Sequence, residues 1–313
     1  MLEDDNPAKF ALDPLKLPTV LDNGTRVRWP ERAGDRELSV VAAGGTSRSL
    51  GDVDVVFPIL HGPYGEDGTI QGLLELVGLP FVGSGVLASA LGMDKHFTKM
   101  ILQQAGIEVA PWHTVTAQGW SRDSTGIAEG AFELGLPVFV KPARAGSSVG
   151  VSKVTDWSEL PAAIEVALAE DSRVLIETAI VGREVECAVI EGRPGEPTRV
   201  SVAGEIVISG REFYDFDAKY LGAPGIELVC PAVLTDEELS TMQALAARAF
   251  EAIGGEGLAR VDFFLTEHGF VVNELNTMPG FTPISMFPTC WIASGLSYPD
   301  LITELITLAL PAS

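Results

Sequence analysis

The stretch RVDFFLTEHGFVVNELN, Arg260 to Asn276, decides how the rest of the chain is read. Two apolar runs, Arg260 to Leu265 and Phe270 to Asn276, flank Glu267-His268-Gly269, the pattern of a hairpin. Side chains two apart in a strand share a face. Arg260 therefore points with Asp262, and Glu274 with Asn276. Folding at His268 brings Asp262 roughly opposite Glu274. The expected face carries a guanidinium, two carboxylates and an amide. Such oxygens suit Mg²⁺, which shares its shell between carboxylates and substrate phosphates. The alternative is a solvated acidic strand. Against it, the acids interrupt apolar runs rather than surface-like sequence.

Working outward, Thr235 and Glu238 form a capping box. Behind them Leu239, Met242, Ala246, Phe250 and Ile253 keep helical spacing up to Gly254-Gly255. Strands are expected over Arg173 to Glu177 and Arg183 to Ile190. A second capping box, Asp156 with Glu159, precedes a helix through Leu168. Pro137 to Lys141 reads as a strand, 86–105 as a helix, and Pro111 as the start of an extended stretch. Val53 to Leu60 reads as a buried parallel strand. A helix follows from Thr69 to Val77, then a strand-like piece from Leu79 to Gly83. Residues 1 to about 50 read as irregular or edge structure. There is no internal repeat and no low-complexity tail. The organisation is α/β.

The chain has 313 residues, 46% of them hydrophobic, and a net charge of -22. Its length implies two or three domains. The charge repels nucleic acid and anionic lipid, so neither is an expected partner. No run of eighteen apolar residues suggests a membrane span. The acidic start, MLEDDNPAKF, argues against a secretory signal. Three scattered cysteines, Cys187, Cys230 and Cys290, suggest neither a metal site nor a disulfide framework and fit a reducing cytoplasm. A phosphate-bearing ligand would need local lysines and backbone N–H groups to overcome the overall field.

Four further segments carry candidate chemistry. In KPARAGSSVG, Lys141 to Gly150, a strand delivers a lysine and small residues let N–H groups approach phosphate oxygens. The lysine precedes the glycines, so this is not a Walker loop; the bland reading is a turn. From Ile176 to Ile180 a strand passes into a loop whose backbone can read an adenine edge, and Glu184 can accept from ribose hydroxyls. The bland reading of Glu177 and Glu184 is an exposed acid. FYDFDAKY, Phe213 to Tyr220, is either a lid or an aromatic loop on a core. His61 opens HGPYGEDG at the end of an expected strand, where open α/β sheets bind ligands.

Together these segments resemble the D-alanine–D-alanine ligase family. The matching stretches are HGPYGEDGTIQGLLELVGLPFVGSG, the MDK at Met93 to Lys95, KPARAGSSVGVSKV, FYDFDAKYL, ARVDFFL and NELNTMPGFTPISM. They run in order from residue 53 to about 310. The resemblance implies an ATP-grasp fold. It would place a partial N-terminal α/β domain at 1–92 and two ATP-grasp subdomains at 93–182 and 183–313, with ATP between the last two. Lys95 and Lys141 resemble the family's ATP-phosphate lysines, and Ser147 lies in the phosphate-covering loop. Glu177, the backbone of Thr178, Ala179 and Ile180, and Glu184 match its adenine and ribose contacts. Lys219 and Tyr220 match its closing loop. Arg260 matches the arginine that holds the second substrate and the tetrahedral intermediate. Asp262, Glu274 and Asn276 match a two-magnesium site, with Mn²⁺ as an alternative ion. Gly280, Ser285 and Met286, with His61, match the substrate pocket.

The implied reaction phosphorylates the carboxylate of one D-alanine and joins it to the amine of a second, supplying peptidoglycan synthesis. A homodimer is expected by the same analogy. The family's opening GGxSxEHxVS segment has no counterpart here; Gly44-Gly45-Thr46-Ser47 is only an echo. The expectation that follows is a shortened front, with weak or no ligase activity unless His61 or Glu66 holds the first ammonium. The alternatives are therefore an ATP-binding but impaired homologue, or a D-alanine–D-lactate ligase. Tyr220 argues against the latter.

Overall fold

In a computed structural model of the chain, residues 24–32, 34–146, 148–208, 226–282 and 285–311 are described. The deciding hairpin forms as expected. Its strands are β11, Leu258–Thr266, and β12, Gly269–Asn276. They close one side of a five-stranded antiparallel sheet, in which β11 also pairs with β8, Arg183–Ile190. Beyond β8 lie β9, Arg199–Ile208, and β10, Ile226–Val229. One face of this sheet packs on the helix Asp236–Ala252. Thr235 accepts from the Glu238 N–H and Glu238 accepts from Thr235, so the expected capping box is present. Met242, Ala246, Ala249 and Phe250 fill that core with Val185, Val261 and Phe263. The other face packs on the helices Met286–Ala293 and Tyr298–Ala309, through Ala188, Ile190, Phe287 and Leu301.

A second, four-stranded sheet has the order β4-β7-β5-β6. These are Trp112–Thr116, Arg173–Thr178, Val138–Pro142 and Ser152–Val154. Its apolar face buries Val138, Val140, Val174 and Ile176 under the helix Leu160–Glu170, with Trp120 and Leu160 in the same core. The chain enters this sheet at Trp112 and leaves it at Thr178, and those ends meet. Trp112 pairs with Glu177, and the Thr178 N–H donates to the Pro111 carbonyl at 3.0 Å.

The front half differs from its sequence reading in three ways. Val53 to Leu60 is not a strand. It makes one parallel bridge, Val56 to Phe81, with hydrogen bonds from Val56 to Pro80 and from Val82 to Val56. A buried parallel strand needs a partner along its length, and Pro58 and Pro80 each lack a donor. Residues 26–52 are more regular than expected: Arg26–Arg28, Glu37–Val41 and Ser47–Asp52 form an antiparallel sheet of their own. The expected helix over 86–105 is two, α2, Val86–Met93, and α3, Lys95–Gln104. Asp94 breaks them because its extended backbone lets its side chain cap His96 and Phe97 N–H. The helix over Thr69–Val77 is as expected. Gly257 lies against the Gly83 backbone, where an added Cβ would stand 2.8 Å from the Gly83 nitrogen. Ser84 and Glu256 exchange hydrogen bonds beside it.

Candidate functional site

The hairpin sets the acidic half of the site. Asp262 is level with Glu274 on one side and Glu186 on the other, and Arg260 is level with Asn276. Alternation then puts all five on one face. Arg260 donates from Nε to Asp262 Oδ1 and from Nη2 to Oδ2, both at 2.7 Å. The same Nε is 2.9 Å from Glu186 Oε2. Asn276 Nδ2 donates to Asp262 Oδ2 at 3.1 Å. Burial alone would lower the guanidinium pKa, but Asp262, Glu186 and Glu274 together hold it well above its usual value.

Asp262, Glu274 and Asn276 offer the hard oxygens Mg²⁺ takes, two carboxylates and an amide on neighbouring strand positions. Among the described residues, no three or more His, Cys, Asp or Glu side chains form a ready cage. Two carboxylates and one amide leave part of an octahedral Mg²⁺ shell for other oxygens, such as those of phosphates.

The second sheet supplies the basic half. Phe139 pairs with Glu177, so Lys141, two residues on, shares the face of the Glu177 side chain. Lys141 Nζ donates to Glu177 Oε1 at 2.7 Å. Burial raises the Glu177 pKa, and the two ammonium groups of Lys141 and Lys99 more than reverse it. Lys95 begins α3. Its Nζ donates to the Ala145 carbonyl at 2.7 Å and its backbone N–H to Ala143 at 3.0 Å, so it stands against the small-residue loop. The root of that loop is pinned by Asp171, which accepts from the Arg144 backbone at 2.9 Å and from its guanidinium.

The strap after Glu177 is partly committed: Thr178 donates to Pro111 and Ala179 to Pro137, each at 3.0 Å. Ile180 follows, and Glu184 stands half-buried on β8. Ser147, Lys219 and Tyr220 lie outside the described residues.

His61 Nδ1 lies 3.0 Å from the Met278 carbonyl. Nearby, Glu66 accepts from Gly62 N–H at 2.7 Å. Burial is the chief reason its pKa rises from 4.5 to about 7; Glu274 adds to the rise, while Lys95 and Arg260 oppose it. Glu66 thus feels the basic and acidic halves together. Gly280 and Ser285 adjoin: a Cβ on Gly280 would stand 3.0 Å from Ser285 Oγ. The Ser285 hydroxyl accepts from Thr282 N–H at 3.1 Å and bonds its hydroxyl at 2.8 Å. The Met286 side chain is buried in the core beneath. What Met286 presents is the N–H of the first turn of its helix, a group with no intrahelical partner.

Two residues of this arrangement, Lys99 and Glu186, escaped the sequence reading as site members. Lys99 follows Lys95 by four, a spacing that puts both on one helix face. Glu186 follows Glu184 by two, which puts both on one strand face. In each case the period was legible, and only the neighbour across it was not.

A carboxylate-bearing hairpin in one antiparallel sheet, facing a lysine-bearing strand and loop from another, is the architecture of the ATP-grasp class. The family model for the D-ala D-ala ligase C-terminus matches residues 101–307, and that for the N-terminus matches 11–84. The chain is 51% identical over 313 residues to the D-alanine--D-alanine ligase of Pseudarthrobacter chlorophenolicus, covering 99% of this chain and 82% of that one. It is 52% identical over 316 residues to that of Mycolicibacterium gilvum, covering 99% and 84%. Two solved structures are similar at 36% identity. The D-alanine-D-alanine ligase from Coxiella burnetii has TM-score 0.71, covering 86% of this chain and 72% of that one. VanG D-Ala:D-Ser ligase from Enterococcus faecalis has TM-score 0.74, covering 87% and 80%. The chain belongs to the D-alanine–D-alanine ligase family.

Proposed function

We propose that this chain joins two D-alanines, with ATP converted to ADP and phosphate, as a step of peptidoglycan precursor synthesis. The observation that carries this reading is the hairpin face, on which Arg260, Asp262, Glu274 and Asn276 align. In the first step a carboxylate oxygen of one D-alanine bonds to the γ-phosphorus of ATP and ADP leaves. In the second, the amine of the other D-alanine, having lost a proton, attacks the acyl carbon and expels phosphate.

Phosphoryl transfer asks mainly for positioning and charge neutralisation. Lys95 and Lys141 would take the phosphates, with Lys219. Asp262, Glu274 and Asn276 would hold Mg²⁺, two ions by family analogy, which would neutralise charge on the transferring phosphoryl group. Glu177, the strap from Thr178 to Ile180, and Glu184 would hold adenine and ribose. Since Thr178 and Ala179 already donate elsewhere, the base is left the carbonyls and the Ile180 N–H. Arg260 would steady the acceptor carboxylate and the oxyanion that forms at the acyl carbon. Gly280, Ser285 and the Met286 N–H would line the substrate pocket with His61. Ser147 and Tyr220 would close it against water, since an acyl phosphate hydrolyses when wet.

The subdomain limits 1–92, 93–182 and 183–313, a homodimer and a cytoplasmic location complete the proposal. Among the described residues, no helix is long and apolar enough to cross a membrane. A coupled ADP-release assay with D-alanine, D-serine and D-lactate as acceptors tests the reading. Turnover with D-alanine as donor and acceptor is expected. ADP release that depends on D-lactate and not on a second D-alanine would overturn it.

A further inference from the structure

One helical turn after Lys95, Lys99 faces into the protein with 2% of its side chain exposed. Its Nζ is 2.8 Å from Glu177 Oε2, donates to the Ala110 carbonyl at 3.3 Å and stands 5.6 Å over the Trp112 ring. The other oxygen of Glu177 holds Lys141. One buried carboxylate is therefore shared between two ammonium groups. A lysine in this position is expensive to bury, and burial does lower its pKa. An apolar side chain of the same length would fill the space without that penalty. The charge therefore calls for a reason.

Lys141 supplies one. On the nucleotide-site reading above, on which this inference rests, Lys141 must turn from Glu177 to a phosphate oxygen when ATP arrives. Glu177, 3% exposed, would then lose one of its two counter-charges. A buried carboxylate left unpaired is strongly disfavoured. Lys99 cannot follow Lys141, because its ammonium is tied to Ala110 and Glu177 over the Trp112 ring.

We propose that Lys99 is a positioning residue for the nucleotide, which keeps Glu177 anionic and in place while Lys141 exchanges the carboxylate for phosphate. With Lys99 gone, Glu177 has only Lys141 and competes with ATP for it. The defect belongs to ATP binding rather than to the chemical steps.

The test is Lys99→Met, which keeps the length and removes the charge. The KM for ATP is expected to rise about tenfold, with kcat at saturating ATP within about twofold and the D-alanine KM values unmoved. In a Glu177→Gln background the same change should add almost nothing, since the competing charge is already absent. A folded Lys99→Met protein with wild-type ATP KM overturns the inference, as does one whose kcat falls while ATP KM stays put. If the single variant does not fold, the double variant Lys99→Met with Glu177→Gln removes both charges instead of stranding one. An ATP KM equal to that of Glu177→Gln alone supports the inference; a further tenfold rise overturns it. Lys141→Met separates the two readings. If it leaves ATP KM unchanged, the nucleotide-site assignment fails and this inference with it. If it raises ATP KM and Lys99→Met does not, only this inference fails.

Discussion

At Glu274 the acidic face can be tested with the smallest change. Glu274→Gln keeps the shape and removes the charge that sits level with Asp262. ADP release should vanish while far-ultraviolet circular dichroism stays that of the wild type; wild-type turnover would remove Glu274 from the metal set. Arg260 uses Nε and Nη2 at once on Asp262, a fork that lysine cannot reproduce. Arg260→Lys should raise the acceptor D-alanine KM and cut kcat by roughly 10²-fold, with a smaller effect on ATP KM. Unchanged acceptor kinetics would refute that role. Glu66 makes a prediction about pH. Its carboxyl titrates near 7 in the fold and at 4.5 otherwise, so between those values the folded protein binds the extra proton. Stability therefore falls as pH rises from about 4.5 to 7 and is level above it. Chemical denaturation in the presence of a chelator should show this slope, and Glu66→Gln should flatten it. A slope that survives the substitution would place its origin elsewhere.

Among the elements, the helix Asp236–Ala252 depends on its first turn. Thr235→Ala removes one side of a two-sided cap and should lower unfolding stability by about 1 kcal/mol without changing either KM. A loss of several kcal/mol would mean Thr235 does more than cap. This cap was legible in the sequence because it is local, as were the other capping box, the helix over Thr69–Val77 and the hairpin with its opposed acids. What was not legible depended on distant partners. The apolar run Val53 to Leu60 has a strand's composition, yet among the described residues only Phe81 bridges to it. β9 contains Gly204 beneath the Met286 side chain, a contact made by a residue more than eighty positions on. At the site, Lys141 and Glu177 were each visible, but the sharing of the Glu177 carboxylate between Lys141 and Lys99 depends on side chains of α3 meeting those of the second sheet.

Over the whole molecule, the net charge of -22 opposes an anionic nucleotide. Lys99, Lys141 and Arg260 are paired with carboxylates, so they offset this field only locally. Raising ionic strength from about 10 to 150 mM shortens the screening length to about 8 Å. kcat/KM for ATP should then rise, whereas that for zwitterionic D-alanine should not. A fall for ATP would mean the local cations dominate its approach. The second sheet has another property at this scale. Its core, from Val115 to Ile176, is drawn entirely from its own residues, and the core of the five-stranded sheet contains none of them. Its entrance at Pro111-Trp112 and exit at Glu177-Thr178 are hydrogen-bonded neighbours. Topologically it is an insert: a self-contained cassette spliced into a host that is already closed behind it. Such a cassette can be cut out and the ends rejoined by a short loop at little entropic cost. The host should then fold by itself, blind to nucleotide. Lineages could likewise exchange or reshape the cassette while leaving the amide-forming face of the host untouched.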